Sequence, residues 1–367
     1  MALEPRNQVA LSVPEVWRLA KPYQIEDCDF VVRNRRVVLG HQTGLGKTFI
    51  SLLAWSKLPA YKTLIVGTLS SVYVWLSHLK DFAGIQPLVV QGRDPRWDVF
   101  LRGSEGVCLC TYATLRMLMS GFGRIRVDLL ILDEIHRALR SRNTQIFRAV
   151  KRVDAQFVIG LSATWASRGP QDLWPMLNII SPKTFPSYWR FVETWCFVER
   201  GAFGVEVFGV RNAENLRTML QSRYYRARKR SDVADQLGIK PGEAVVRQVV
   251  RLAMSPQQEA LYRQLDSEMY VELGKERVVT PSVLAKLTRL MQLAISPATL
   301  FKGSEPGPAI EYVVDKIAED RHVVVFCPFK SGLDVLSAQL ASSLPEVQVF
   351  RLEGGTDPKI IDSVIRD

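Results

Sequence analysis

The apolar run Val37–Val38–Leu39–Gly40 leads directly into His41–Gln–Thr–Gly–Leu–Gly–Lys–Thr48, and a helical pattern follows from Phe49 to Leu58. A buried strand, a glycine loop and a helix in that order form a cradle for phosphate groups, which few other sequence features specify so tightly. Gly44 and Gly46 permit the sharp turns that aim backbone N–H groups at phosphate oxygens, and Thr43 and Leu45 belong to the same expected binding loop. The helix N-terminus adds the positive end of its dipole. Lys47 is expected to meet the β- and γ-phosphates of ATP, and the Thr48 hydroxyl to hold Mg²⁺. The strict pattern opens with Gly, and His41 stands in its place.

A second run, Leu129–Leu–Ile–Leu–Asp–Glu–Ile–His136, reads as a strand buried on both faces of a parallel sheet, ending in two carboxylates. Open α/β sheets bind ligands at the C-terminal ends of their strands. Asp133 is therefore assigned to the metal and Glu134 to the attacking water, so that Lys47, Asp133 and Glu134 form the expected catalytic set. On its own, an acidic pair at a strand end is more often a solvated turn; the phosphate loop upstream decides the matter. A third run, Phe157–Val–Ile–Gly–Leu–Ser–Ala–Thr164, again ends in hydroxyls. Ser162 and Thr164 are placed to bond Asp133 and His136 and so to couple nucleotide state to a moving partner lobe.

Phosphate loop, Asp–Glu–x–His and Ser–Ala–Thr, in this order, resemble the superfamily 2 DEAD/DEAH-box helicases and translocases. Lys21–Pro–Tyr–Gln24, Leu64 to Trp75, Cys110 to Leu115, Asp172 to Phe185, Ala227–Arg–Lys–Arg–Ser–Asp–Val233, Met254 to Tyr262 and Leu290–Met–Gln–Leu293 resemble motifs of the SNF2-like branch. The resemblance implies Gln24 as an adenine contact and places the Leu64–Trp75 motif along the nucleic-acid backbone. It also implies an ATP-dependent motor with two RecA-like lobes acting on DNA, double-stranded in this branch. Val323 to Phe329 and Leu352 to Thr356 resemble the opening of the second lobe.

On this reading, residues 1–185 form a RecA-like lobe with a parallel sheet, 186–302 a mainly helical bridging region, and 303–367 the beginning of a second RecA-like lobe. The class is α/β. Strands are expected at Val37–Leu39, Leu64–Val66, Leu88–Val90, Val107–Cys110, Leu129–Leu132 and Phe157–Gly160, with one more at Val245–Val250. Gly303 to Pro308 is a Pro/Gly break.

Three departures stand out. His41–Gln42–Thr43 replaces the usual Asp–Glu–Met, and Ser–Ala–Thr before Trp165 replaces Gly–Thr–Pro. The chain also stops at Asp367, before the motif whose arginines reach the γ-phosphate. The expectation is ATP binding with slow hydrolysis unless another polypeptide completes the second lobe. Two other classes fit parts of the pattern: a strand-separating helicase or restriction-type motor subunit, and a non-catalytic nucleotide- and DNA-binding remnant.

Whether a polyanion is the partner is where composition matters. The formal charge is +11, compatible with nucleic acid without requiring it. Within Arg223–Tyr–Tyr–Arg–Ala–Arg–Lys–Arg230, five positive charges and two tyrosines suit phosphate binding, but equally a solvated helix face. The five cysteines are scattered without metal-ligand spacing, which reads as buried reduced thiols of a cytoplasmic protein, with a bacterial or phage origin expected from the compact build. No apolar run suits a membrane span, and Met1 to Arg6 lacks a signal pattern.

Overall fold

In the computed structural model, residues 17–139, 141–165, 169–201, 204–239, 247–320, 322–354 and 356 are described. The chain divides into two compact units, residues 1–244 and 245–367.

The first unit begins with helix α1 (Pro22–Asn34), strand β1 (Arg36–Leu39) and helix α2 (Lys47–Lys57). Strand β2 (Lys62–Gly67), helix α3 (Leu69–Ala83), β3 (Leu88–Val90), β4 (Gly106–Thr111), β5 (Ile125–Leu132) and β6 (Val153–Leu161) follow. The exposed hairpin β7 (Phe197–Gly201) and β8 (Gly204–Phe208) and the short strand β9 (Tyr225–Arg226) complete the unit's strands. Seven strands form one sheet in the order β3-β4-β2-β5-β6-β1-β9, and every pairing is parallel. All six strands expected between residues 37 and 160 are present.

Strand periodicity explains the unbroken apolar runs. Val38, Leu64, Val66, Leu130 and Leu132 enter the core on one face, while Val37, Leu39, Ile65, Leu129 and Ile131 enter the core on the other. The second face is covered by α1, α2 and α3 through residues such as Phe30, Ile50 and Leu79. Helices Tyr112–Leu118, Trp174–Ile180, Tyr188–Trp195 and Ala213–Arg223 cover the first through Leu115, Leu177, Val192 and Leu220. The sheet is thus doubly covered, and β6 lies between β1 and β5. That placement sets the ends of the three motif-bearing strands side by side.

The second unit, taken by itself, has two small cores. Helices Pro256–Ser267 and Val283–Ile295 pack with the hairpin β10 (Tyr270–Leu273) and β11 (Glu276–Val279) around Leu261, Leu265, Val271, Leu293 and Phe301. Helices Pro308–Glu319 and Lys330–Ser343 meet through Ile310, Val314, Leu336 and Leu340.

Three expectations are corrected here. Neither hairpin was expected, because charges at Glu199, Arg200, Glu206, Glu272 and Arg277 break the apolar alternation; mutual pairing holds these strands. Of the expected strand Val245–Val250, the first two residues lie outside the described residues, and 247–250 form no strand, with Val249 exposed. Val323–Phe329, expected to open the second lobe as a strand, has no ladder partner among the described residues, and Val324 and Phe326 are 80% and 92% exposed. An apolar run is a strand only where a neighbour takes up its N–H and C=O groups.

Cys28, Cys108, Cys110 and Cys196 are free and buried, as expected, whereas Cys327 is free but only half-buried. Burial pushes the Cys28 and Cys108 thiols up to about 12, which keeps them protonated and unreactive. No helix among the described residues is long and apolar enough to cross a membrane.

Candidate functional site

The loop after β1 has the shape its sequence calls for. Gly44 and Gly46 adopt φ values of 80° and 67°, which side-chain-bearing residues rarely reach, and α2 starts at Lys47. Leu45 is fully buried in the core, so this residue can offer a ligand only its main chain. The Tyr23 hydroxyl donates to the Leu45 carbonyl at 3.1 Å and pins the loop to α1. The Gln24 amide lies against Gly46, its Nε2 2.6 Å from where a Cβ would be, and its Oε1 accepts from the Lys21 N–H. The Lys47 ammonium donates to the His41 carbonyl at 2.9 Å. Burial lowers the Lys47 pKa, while the negative charges of Glu134 and Asp133 oppose the shift. This loop therefore faces both carboxylates.

Asp133 is held from several sides. Its Oδ2 accepts from the Trp75 indole N–H at 3.1 Å and its Oδ1 from the Glu134 N–H at 2.9 Å, with Ser71 as a further donor. The Tyr112 hydroxyl donates to the Asp133 carbonyl at 2.8 Å. Burial and the neighbouring Glu134 charge raise the Asp133 carboxyl, and the donors only partly offset them. Glu134 sits at φ 51°, a left-handed conformation uncommon for a residue with a side chain. Its Oε2 lies 3.1 Å from His136 Nδ1, and that nitrogen is 3.0 Å from Ser162 Oγ. The Thr164 N–H donates to the same Ser162 oxygen at 3.2 Å, while the Thr164 side chain is exposed. His136 and Ser162 therefore meet as expected, but Asp133 takes its donors from Ser71 and Trp75.

Two groups of residues escaped the sequence reading. Trp75, expected along a nucleic-acid backbone, is fully buried, and it reaches the carboxylate from α3. Its position midway along an amphipathic helix, on the face shared with Val72 and Leu79, was the available signal.

The second group surrounds Asp27 of α1. This fully buried carboxylate takes hydrogen bonds from His41 Nε2 at 2.8 Å, Arg226 Nε at 2.6 Å and Arg228 Nε at 2.6 Å. Glu26 pairs with the same two arginines. The run Arg223–Arg230 is consequently not a solvated helix face: its middle is a strand beside β1, and Arg226 and Arg228 are neutralised internally.

The donor set suits MgATP. Left-handed glycines open the loop, Lys47 supplies a cation, and Thr48 and Asp133 supply the hard oxygens that Mg²⁺ prefers.

The sequence matches the SNF2-related domain over residues 23–298. It is 23% identical over 357 residues to the ISWI chromatin-remodeling complex ATPase CHR11 of Arabidopsis thaliana, a match that covers 87% of this chain and 32% of that one. It is 29% identical over 231 residues to a SWI/SNF-related matrix-associated actin-dependent regulator of chromatin subfamily A-like protein 1 homolog of Caenorhabditis elegans, covering 61% of this chain and 33% of the relative. The chain spans about a third of the length of these two relatives. Among solved structures, the Sulfolobus solfataricus SWI2/SNF2 ATPase core in complex with dsDNA shares the fold, with a TM-score of 0.50 and 21% identity, covering 99% of this chain and 76% of that one. With three quarters of its length inside one family's pattern and that family's sheet beneath the motifs, the chain belongs to the SNF2-related domain family.

Proposed function

We propose that this chain carries the ATP-binding lobe of an SNF2-type motor that moves on duplex DNA. The observation that carries the reading is the convergence of Lys47, Asp133 and Glu134 at one end of the sheet beside a loop of left-handed glycines.

In this reading the Lys47 ammonium leaves the His41 carbonyl and neutralises the β- and γ-phosphates. Gln24, already beside Gly46, reads the adenine edge. Thr48 and Asp133 would hold Mg²⁺, which would supply electrostatic stabilisation of the charge developing on the phosphates. Glu134 orients the attacking water. His136 and Ser162 pass the state of Glu134 to the end of β6. Residues 303–367 are read as the beginning of a second RecA-like lobe; within the bridge expected at 186–302, residues 188–226 build onto the first unit's sheet.

The +11 charge suits a DNA partner, and the Sulfolobus neighbour was solved with dsDNA. Binding through phosphates would weaken steeply with salt. The test is ATP binding and turnover by the purified chain with and without duplex DNA, with Lys47→Ala as control. Nucleotide binding lost in Lys47→Ala supports the reading; binding that survives the substitution removes it.

A further inference from the structure

The segment after β9 runs on past the sheet and along the phosphate loop itself. The Gly40 N–H donates to the Arg226 carbonyl at 2.7 Å, the Gln42 N–H to the Arg228 carbonyl at 2.9 Å, and the Arg230 N–H to Gln42 Oε1 at 2.8 Å. Residues 224–230 therefore form a strap paired step by step with residues 38–42. Gly40 is needed for it, because a Cβ there would collide with the Tyr225 ring.

Strand-like alternation places Arg226, Arg228 and Arg230 in one row. The first two are bound by Asp27 and Glu26, and they fix the strap to α1. Arg230 has a different environment. Its Nε donates to the Thr43 carbonyl at 3.3 Å, and its Nη2 lies 2.5 Å from where a Gly44 Cβ would be. Among the described residues no carboxylate pairs with it, and its side chain is exposed. The missing side chain at Gly44 is what leaves room for the guanidinium. His41, at the loop's first position, joins the same Asp27 through its side chain while its carbonyl receives Lys47, so one buried carboxylate fixes both cations' supports.

We propose that Arg230 is a further nucleotide-binding residue, a second cation set over the phosphate loop by a strap that Asp27 clasps. This rests on the ATP-binding reading above. A nucleoside di- or triphosphate carries more negative charge than Lys47 alone offsets, and a guanidinium bonds phosphate oxygens with paired donors. Asp27 is a positioning residue in this arrangement; Arg230 is the one that meets the ligand.

The experiment measures binding of MgATP, MgADP and adenosine to the full chain by calorimetry. For Arg230→Ala, a loss of about tenfold is expected for MgATP and MgADP, with adenosine unchanged, and Arg230→Lys should recover most of it. Asp27→Asn should show the same phosphate-selective loss together with faster amide hydrogen exchange across residues 41–46, which loss of stability alone would not confine to the loop. Arg230→Ala binding MgATP as tightly as wild type overturns the assignment, as does an equal loss for adenosine. Wild-type protein that binds no nucleotide, or Lys47→Ala that binds normally, instead removes the ATP-binding reading and this one with it.

Discussion

The indole N–H of Trp75 donates to Asp133 Oδ2 at 3.1 Å across 58 residues of sequence. Helix α3 is thereby wired to the carboxylate assigned to the metal. Removing this donor while keeping an aromatic ring tests the link. Trp75→Phe should weaken nucleotide binding about tenfold when Mg²⁺ is present, since hydrogen bonds to charged groups contribute roughly 1.5–3 kcal/mol. Binding measured in EDTA should stay within twofold; an equal fall in both conditions would mean general damage to the fold.

Gly40 faces Tyr225, whose ring also packs on Trp165 with centroids 5.1 Å apart. Gly40→Ala is expected to push β9 off the sheet edge at a cost of about 1–3 kcal/mol, the range for overpacked sites. A companion Tyr225→Ala change should relieve part of that cost. Urea unfolding of the two single variants and the double variant measures the coupling, and strict additivity would contradict the collision.

Asp27 gives a pH signature. Burial alone would raise its carboxyl, but hydrogen bonds from His41, Arg228 and Arg226 outweigh burial and hold it well below the ordinary carboxylate range. Such a group stabilises the fold fully above its unfolded pKa and loses that contribution as pH falls toward the folded value. Asp27→Asn should therefore cost about 3–5 kcal/mol near neutral pH, the usual cost of breaking a buried ion pair. The gap to wild type should hold down to about pH 5 and narrow as pH falls through about 4. A gap that stays constant to pH 2 would show that the carboxylate's charge is not what stabilises the cluster.

His136 joins Glu134 to Ser162. His136→Ala should leave MgATP affinity within about threefold, because no phosphate-loop residue depends on it. Any stimulation of turnover by duplex DNA should fall by about tenfold or more, on the scale of losing a charge-assisted hydrogen bond. Lost affinity with stimulation intact would reverse the assignment.

What the sequence disclosed follows a physical pattern. The phosphate loop, Asp133–Glu134 and Ser162 were legible because each lies directly after a buried strand, where local order fixes position. Their neighbours were less so. Asp27 reads as one more polar residue of α1, and only partners 199 and 201 residues away make it a hub. The resemblance sets Trp75 along a nucleic-acid backbone, whereas its ring is buried on the same helix as Ser71, which is buried with it. The two hairpins escaped because charges interrupt their short strands and β7 and β11 are mostly exposed, so that apolar alternation, the main strand signal, is weak.

The strap also sets a schedule for biosynthesis. Gln42 is bound by Arg230, made 188 residues later, so a growing chain carries its phosphate loop long before the edge beside it can close. Through that interval β1 lacks a neighbour on one side, and Asp27 and His41 lack two of the cations that complete their cluster. On the ATP-binding reading proposed above, nucleotide reaches its full affinity for the lobe only after translation has passed Arg230. A fragment cut at residue 185 would stay permanently at that earlier stage, with every recognisable motif of the lobe present and its loop never clasped.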